Sequence, residues 1–369
     1  MPRNRLEFYN FTLTFGEELV LLDLFEQVVY PAFLEDRQRS IRSSNYFFLD
    51  TQLVNLSEET RSQRNIDRLS SNQQGDEVPE LAILGRFVKD TNLTREQRFD
   101  YESKEIISEE GNLQSSPTAI FVLILNTHRL LYFGETYHSP PIGSFEATIK
   151  SFLIQSHSGF LQRLYDEQPS DSKDYETLEL RYPFPTLKIT PLSNQDNLRS
   201  FIERYSKLET VEIQLSTTNA IDDDEFFDKL RNKKRDIRAE KALLKYQNKE
   251  VGLNKDEVIK ETEDLISQAD ADIRFSGLDD AQNRLTGNLE ILKLFVPMNI
   301  SSHNIKEISK NAFITYEQLI EQGRVAQARI NRSLQNVNDK IMNIWENMTN
   351  DLNDDSEEDD EDDDESPTA

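Results

Sequence analysis

Nine basic side chains crowd one stretch of this acidic chain: Lys229, Arg231, Lys233, Lys234, Arg235, Arg238, Lys241, Lys245 and Lys249. Asp236 and Glu240 are the only acids among them. Ammonium and guanidinium groups at this density suit the phosphates of DNA or another polyanion. Lys234, Arg238, Lys241, Lys245 and Lys249 fall three or four apart, so on a helix they share one face. That face would contact successive phosphates. A solvated charged face, paired with acids such as Asp236 and Glu240, is the other reading of the same spacing.

No other residues fall into a pattern that carries chemistry. His128, His138, His157 and His303 form no ligand pair at a metal-binding spacing, and His128 reads as a turn residue. The chain has no cysteine, which excludes disulfides, thiolate metal sites and cysteine catalysis. Glu176 and Glu179 resemble half of a nuclease-type acid pattern, but Arg181 stands where a lysine is wanted, and arginine keeps its proton. The glycines build no phosphate loop, and no serine sits in a nucleophile elbow. The expectation is a binding protein rather than an enzyme, with no metal and no cofactor.

The opposite charge gathers at the end. Twelve acids between Asp351 and Glu365 carry nearly half of the formal net charge of -26. This segment has too little apolar surface to offset its ordering entropy and reads as a disordered polyanion, residues 350–369. Such a tail competes with nucleic acid for a basic surface, so it is expected to gate the segment 229–249. The longest apolar run, Ala119 to Leu125, falls well short of the about 20 residues that span a bilayer. With no apolar signal core after Met1, the chain is expected to be cytoplasmic, without membrane contact.

The elements that must position these groups follow from periodicity. Leu6–Phe15 and Asn45–Val54 read as strands, and Glu17–Phe33 as a helix. Ser57–Pro79 is polar and reads as a loop. Leu81–Lys89 and Arg98–Ile107 suggest two strands joined by a turn at Asp90–Asn92. Ala119–Leu125 and Leu130–Phe133 suggest a buried central hairpin. Ser144 is placed to cap a helix running to about Gln155. Thr177–Tyr182, Thr186–Thr190, Leu208–Leu215, Ile273–Leu278 and Leu289–Val296 read as strands. Asn194–Tyr205, Asp222–Gln247 and Asn254–Ala269 read as helices, and Asn304–Met348 as helical with a division at Gly323.

Ile330, Leu334, Val337, Ile341 and Ile344 step by three and four, with Trp345 beside them. This apolar stripe would pack on the chain's own core or, as a coiled coil, on a second copy. The fold class is α+β. A strand-rich domain spans residues 1–168, and a second domain with the basic helix and the long terminal helix spans 174–349.

The run Lys233-Lys-Arg-Asp-Ile-Arg238, the later Asp272-Ile-Arg-Phe275, the apolar hairpin before them and the helix-rich end resemble the layout of RexA-type phage-exclusion proteins and related prokaryotic defence families. The resemblance covers Asn45 to Leu319. It implies a non-enzymatic, dimeric, DNA-associated protein of an antiviral defence system or mobile element, with Lys233, Lys234, Arg235 and Arg238 at the DNA. The alternative is a protein-interaction or scaffold component that uses the C-terminal stripe and has no nucleic-acid role.

Overall fold

The apolar run Ala119–Leu125 lies in the middle of a large antiparallel sheet, buried on both faces. The structure is a computed structural model, and it describes residues 5–34, 36–57, 78–169, 174–193, 195–215, 225–239, 241–268, 271–298, 304–328 and 334–357. It is α+β: strands dominate the first half, helices and a smaller sheet the second. The expected loop at Ser57–Pro79 lies almost wholly outside the described residues.

The large sheet is built from β1 (Arg5–Phe15), β2 (Leu19–Val20), β3 (Arg39–Ile41), β4 (Ser44–Asn55), β5 (Leu81–Asp100), β6 (Glu105–Ser115), β7 (Thr118–Ile124), β8 (Arg129–Gly134), β9 (Pro185–Pro191) and a late strand, β14 (Phe295–Pro297). Its main order is β14-β1-β8-β7-β5-β4-β3. The central hairpin β7–β8 is where the sequence places it. β9 and β14 lie end to end along the free edge of β1: Tyr9–Phe15 pairs with β9, and Arg5–Glu7 with β14.

Strand alternation divides the core into two layers. Tyr9, Phe11, Leu13, Phe121, Leu123, Leu130 and Tyr132 face α1 (Tyr30–Leu34), α2 (Ile142–Glu167) and a terminal helix. Leu6, Phe8, Val122, Ile124, Leu131 and Phe133 face α8 (Ile305–Glu321) on the other side.

Three local expectations change here. Glu17–Phe33 is not one helix: β2 leads into a 3-10 turn (Leu21–Leu24), a π turn (Phe25–Val29) and then α1. Leu21, Leu22, Leu24, Phe25, Val28 and Val29 are all buried, more than one helical stripe can deliver. Helix α2 starts after Pro141 rather than at a Ser144 cap and continues to Glu167, because Phe160 and Leu161 extend its buried face. Thr177–Tyr182 is helical: α3 (Tyr175–Arg181) is capped by Asp174, whose carboxylate accepts from the Thr177 amide at 3.2 Å.

The expected turn at Asp90–Asn92 is also absent. Strand β5 runs straight through it, since Lys89, Asp90 and Thr91 keep their register with β4, and the Ser44 hydroxyl donates to Thr91 Oγ1 at 2.7 Å. The chain turns instead after Asp100, whose carboxylate accepts from the Ser103 amide at 3.2 Å and the Ser103 hydroxyl at 2.8 Å. Beyond Thr91 the strand pairs only with β6, so residues 91–115 form a two-stranded arm that leaves the sheet.

A second unit is inserted between β9 and β14. It contains α4 (Gln195–Glu203), β10 (Lys207–Leu215), α5 (Glu225–Asp236), β11 (Leu243–Gln247), α6 (Lys255–Gln268), β12 (Ala271–Leu278), β13 (Arg284–Asn288) and α7 (Leu289–Leu292). Its sheet order is β11-β10-β12-β13, antiparallel throughout. Its core, from Leu198 to Leu292, shares no buried residue with the two layers of the large sheet. The boundary expected at 168–173 therefore moves. The first unit is discontinuous, because β9, β14 and α8 after the expected boundary all complete the first sheet. Leu289–Val296 is not one strand but α7 followed by β14, and β13 precedes them.

Gly323, with φ 67, ends α8 as expected. Helix α9 (Leu334–Glu357) follows. It continues into the acid run through Glu357, so the tail expected from residue 350 begins as helix, and residues 358–369 lie outside the described residues.

Candidate polyanion-binding rim

The nine basic residues do not share one helix. Lys229, Arg231, Lys233, Lys234 and Arg235 are on α5, Arg238 and Lys241 lie in the link that follows, Lys245 is on β11, and Lys249 stands just past that strand. The expected face Lys234–Arg238–Lys241–Lys245–Lys249 does not exist. The helix ends because Arg238 adopts a left-handed conformation, φ 52, and the Ala239 amide reaches back to the Lys234 carbonyl at 2.9 Å. That is a Schellman-type closure without its usual glycine. Leu243–Gln247 then extends and pairs with β10, placing Leu244 against the core.

What the fold does produce is a basic rim. β11 is an edge strand of the small sheet, and α5 with its link precedes it directly. Lys233, Arg238, Lys241 and Lys249 are exposed and make no ion pair among the described residues. Lys245 sits opposite Glu212 and is bound to its carboxylate at 2.7 Å, so it is largely neutralised. Lys229 is exposed and has an interaction partner. Lys234 is half-buried and its charge reaches Lys188 on β9. Burial is the main force lowering the Lys188 ammonium, Lys234 adds to it, and Asp272 and Glu146 oppose it. The side chains of Arg231 and Arg235 lie outside the described residues.

The C-terminal stripe goes inward. Ile341 and Ile344 are buried in the layer beneath the large sheet, and Val337 and Trp345 pack against it. Lys340 binds Asp23, and Asn347 Nδ2 donates to Glu26 at 2.9 Å. The interface expected at Ile330, Leu334, Val337, Ile341, Ile344 and Trp345 is thus, where it is described, a contact with the chain's own core. Ile330 lies outside the described residues, and Leu334 opens α9.

One polar cluster escaped the sequence reading. Glu7 is buried on β1, accepts from the Tyr9 hydroxyl at 2.6 Å and pairs with Lys293 at 3.1 Å. Lys293 Nζ also donates to the Tyr9 hydroxyl oxygen at 3.2 Å. Burial, then Glu7, pushes the Tyr9 phenol far up, so it stays neutral. The only signal was an acid inside an aromatic strand. A cavity of about 370 Å³ beside it is lined by Arg5, Glu7, Glu290, Ile291 and Lys293. Glu7 and Lys293 satisfy each other, so this pair joins β1 to the end of the inserted unit rather than offering an open acid or base. Among the described residues, no three His, Asp or Glu side chains gather as a metal site, and no helix is long and apolar enough to cross a membrane.

A family model described as Domain of unknown function (DUF4747) matches residues 53–284, from the end of β4 into β13. It spans more than half of the chain, which belongs to that family. The match takes in the arm and the basic rim. No curated protein matches the chain.

Proposed function

We propose that this chain is a non-enzymatic binding protein that docks DNA or another polyanion on the rim formed by α5, the link to β11 and the residue just beyond that strand. The observation that carries this is the set of exposed cations Lys233, Arg238, Lys241 and Lys249, which have no ion-pair partner among the described residues in a chain of net charge -26. Their charge is spent on nothing within the described fold. The resemblance to phage-exclusion proteins makes DNA the first polyanion to try and an antiviral defence role the context. The acids beyond Glu357 are the built-in competitor for the same surface.

Fluorescence anisotropy with duplex and single-stranded DNA, at low and high salt, tests this. The full chain is compared with one ending at Glu357 and with Lys233→Glu/Arg238→Glu/Lys241→Glu. Binding is expected to weaken with salt at a slope of about -0.9 per phosphate contacted, and to fall at least tenfold in the triple variant. The chain ending at Glu357 is expected to bind several-fold tighter. No binding by either length, or binding unaffected by the triple change, would remove the reading. Unchanged affinity on shortening would remove only the competition.

A further inference from the structure

We propose that the arm formed by β5 beyond Thr91 and by β6 is a homodimerisation element, which packs face to face on the same arm of a second copy. The inference does not rest on the polyanion reading.

The register puts most of the arm's large apolar groups on one face; Ile107, opposite Arg98, lies on the other. Leu93 stands opposite Leu113, and Phe99 opposite Ile106. Alternation along β5 gives Leu93 and Phe99 the same face. The register shift opposite Glu96 adds one residue to β6, which brings Leu113 and Ile106 onto that face too. Tyr101 at the tip packs edge-on against Phe99, ring centres 5.1 Å apart. All five are exposed: Leu93 39%, Phe99 47%, Tyr101 84%, Ile106 67% and Leu113 65%.

Such a surface is unfavourable in water. A two-stranded ribbon is marginal without a further layer against its apolar face. Here the internal support is slight: Arg98 pairs with Glu109 and, at 3.7 Å, with Asp100, all on the polar side. The outer edge of β6 has no strand partner among the described residues. Covering this face would supply the missing layer.

Charge and symmetry select the occupant. Residues 91–115 carry six acids and three bases, which disfavours nucleic acid and anionic membrane. By register Glu96, Asp100 and Glu105 alternate onto the face away from the apolar groups, and Arg98 holds Glu109 there. The apolar groups form two clusters, Leu93/Leu113 at the base and Phe99/Ile106/Tyr101 at the tip, about 20 Å apart at strand rise. By register the pairs Gln97/Ser108 and Arg95/Gly111 lie between them, so Arg95 is the one charged position among the paired residues of this face. A twofold axis through that centre sets the tip cluster of each copy on the base cluster of the other, an isologous contact. Five side chains exposed to this degree would bury on the order of 1,000 Å² over two copies, the size at which specific interfaces begin.

Light-scattering mass of the full chain over a concentration series tests the proposal. The wild type is expected at twice 43.0 kDa, and Phe99→Asp/Ile106→Asp at one chain mass while still unfolding in a cooperative transition. Asn92→Asp, on the polar face, should stay dimeric. The chain lacks cysteine, so Gln97→Cys gives a single thiol beside the expected axis, and a short bis-maleimide should link two copies through it. Asn112→Cys on the polar face should not link. A wild type at one chain mass at every concentration, or a dimer that survives the double substitution, would overturn the proposal.

Discussion

Ser193 and Lys293 face each other as a lone antiparallel bridge, with the whole inserted unit strung between them. On one side of this neck the Leu192 amide donates to the Phe8 carbonyl at 2.9 Å, and the Leu294 amide to the Leu192 carbonyl at 2.8 Å. The first unit therefore closes on itself where the insert leaves. Replacing everything between Ser193 and Lys293 with Asn-Gly, a tight hairpin turn, is expected to leave that unit folded. Lys293 is kept because Glu7 would otherwise be a buried, unpaired charge. Cooperative loss of the near-ultraviolet circular dichroism on heating would show it. A trimmed chain with no such transition would mean that the small sheet is needed to hold the large one.

Ile341 is fully buried under the large sheet, and Ile344 nearly so. Ile341→Ala is thus a core truncation and should cost about 2–5 kcal/mol. Its signature is a lower urea midpoint with no change in particle mass. A change of mass without loss of stability would instead return α9 to the role of an interface.

Much of the frame was legible because local and global preferences agree. Ala119–Leu125 is apolar on both alternations, which only a strand covered on both faces needs. Asn254 announces α6, and its side chain does accept from the Asp256 amide at 3.1 Å. The basic rim was legible in composition but not in shape. Nothing in Lys-Arg-Asp-Ile-Arg238 says that an arginine will take the left-handed conformation that usually belongs to glycine. The domain boundary was illegible for a different reason: it depends on β9 and β14 sharing one edge of β1, a pairing between distant segments that periodicity does not encode. The arm stayed hidden because Asp90-Thr91-Asn92 carries turn chemistry while its neighbours β4 and β6 hold it extended.

His128 makes stability depend on pH. It sits in the β7–β8 turn with φ 52, and its Nε2 is buried without a hydrogen-bond partner among the described residues. Burial, and secondarily the Arg129 charge, pushes the imidazole down to about 4. The unfolded imidazole protonates near its ordinary value of about 6.5. Between these values the unfolded chain binds the extra proton, so this contribution is nearly complete at pH 7 and is lost as pH falls toward 4. From pH 7 to pH 5 the loss is about 2 kcal/mol. His128→Asn suits the left-handed turn and does not titrate. Urea unfolding should show the variant losing less stability than the wild type over this range. Parallel losses would mean that His128 is not kept neutral by the fold.

Gly277 is the position where the small sheet depends most on the lack of a side chain. A Cβ there would lie 2.1 Å from the Lys207 carbonyl oxygen and 3.0 Å from both the Glu209 nitrogen and the Leu208 Cα, all backbone atoms that cannot swing aside. The close approach comes from the irregular pairing of β10 with β12 between Leu208 and Thr210. The irregularity leaves Glu209 buried, with its carboxylate between Lys207 at 3.2 Å and Arg284 at 3.3 Å. Gly277→Ala must break that register and should cost about 3 kcal/mol or more. Because the inserted core is separate, the damage should stay within it. Amide exchange is expected to rise across β10, β12 and β13 while β7 and β8 keep their protection. Gly143→Ala is the control: nothing lies within 4 Å of its Cβ position in the first turn of α2, and the change should be neutral or stabilising by up to about 1 kcal/mol. If exchange rose equally in both sheets of Gly277→Ala, the two units would unfold as one, and the neck at Ser193 and Lys293 would couple them.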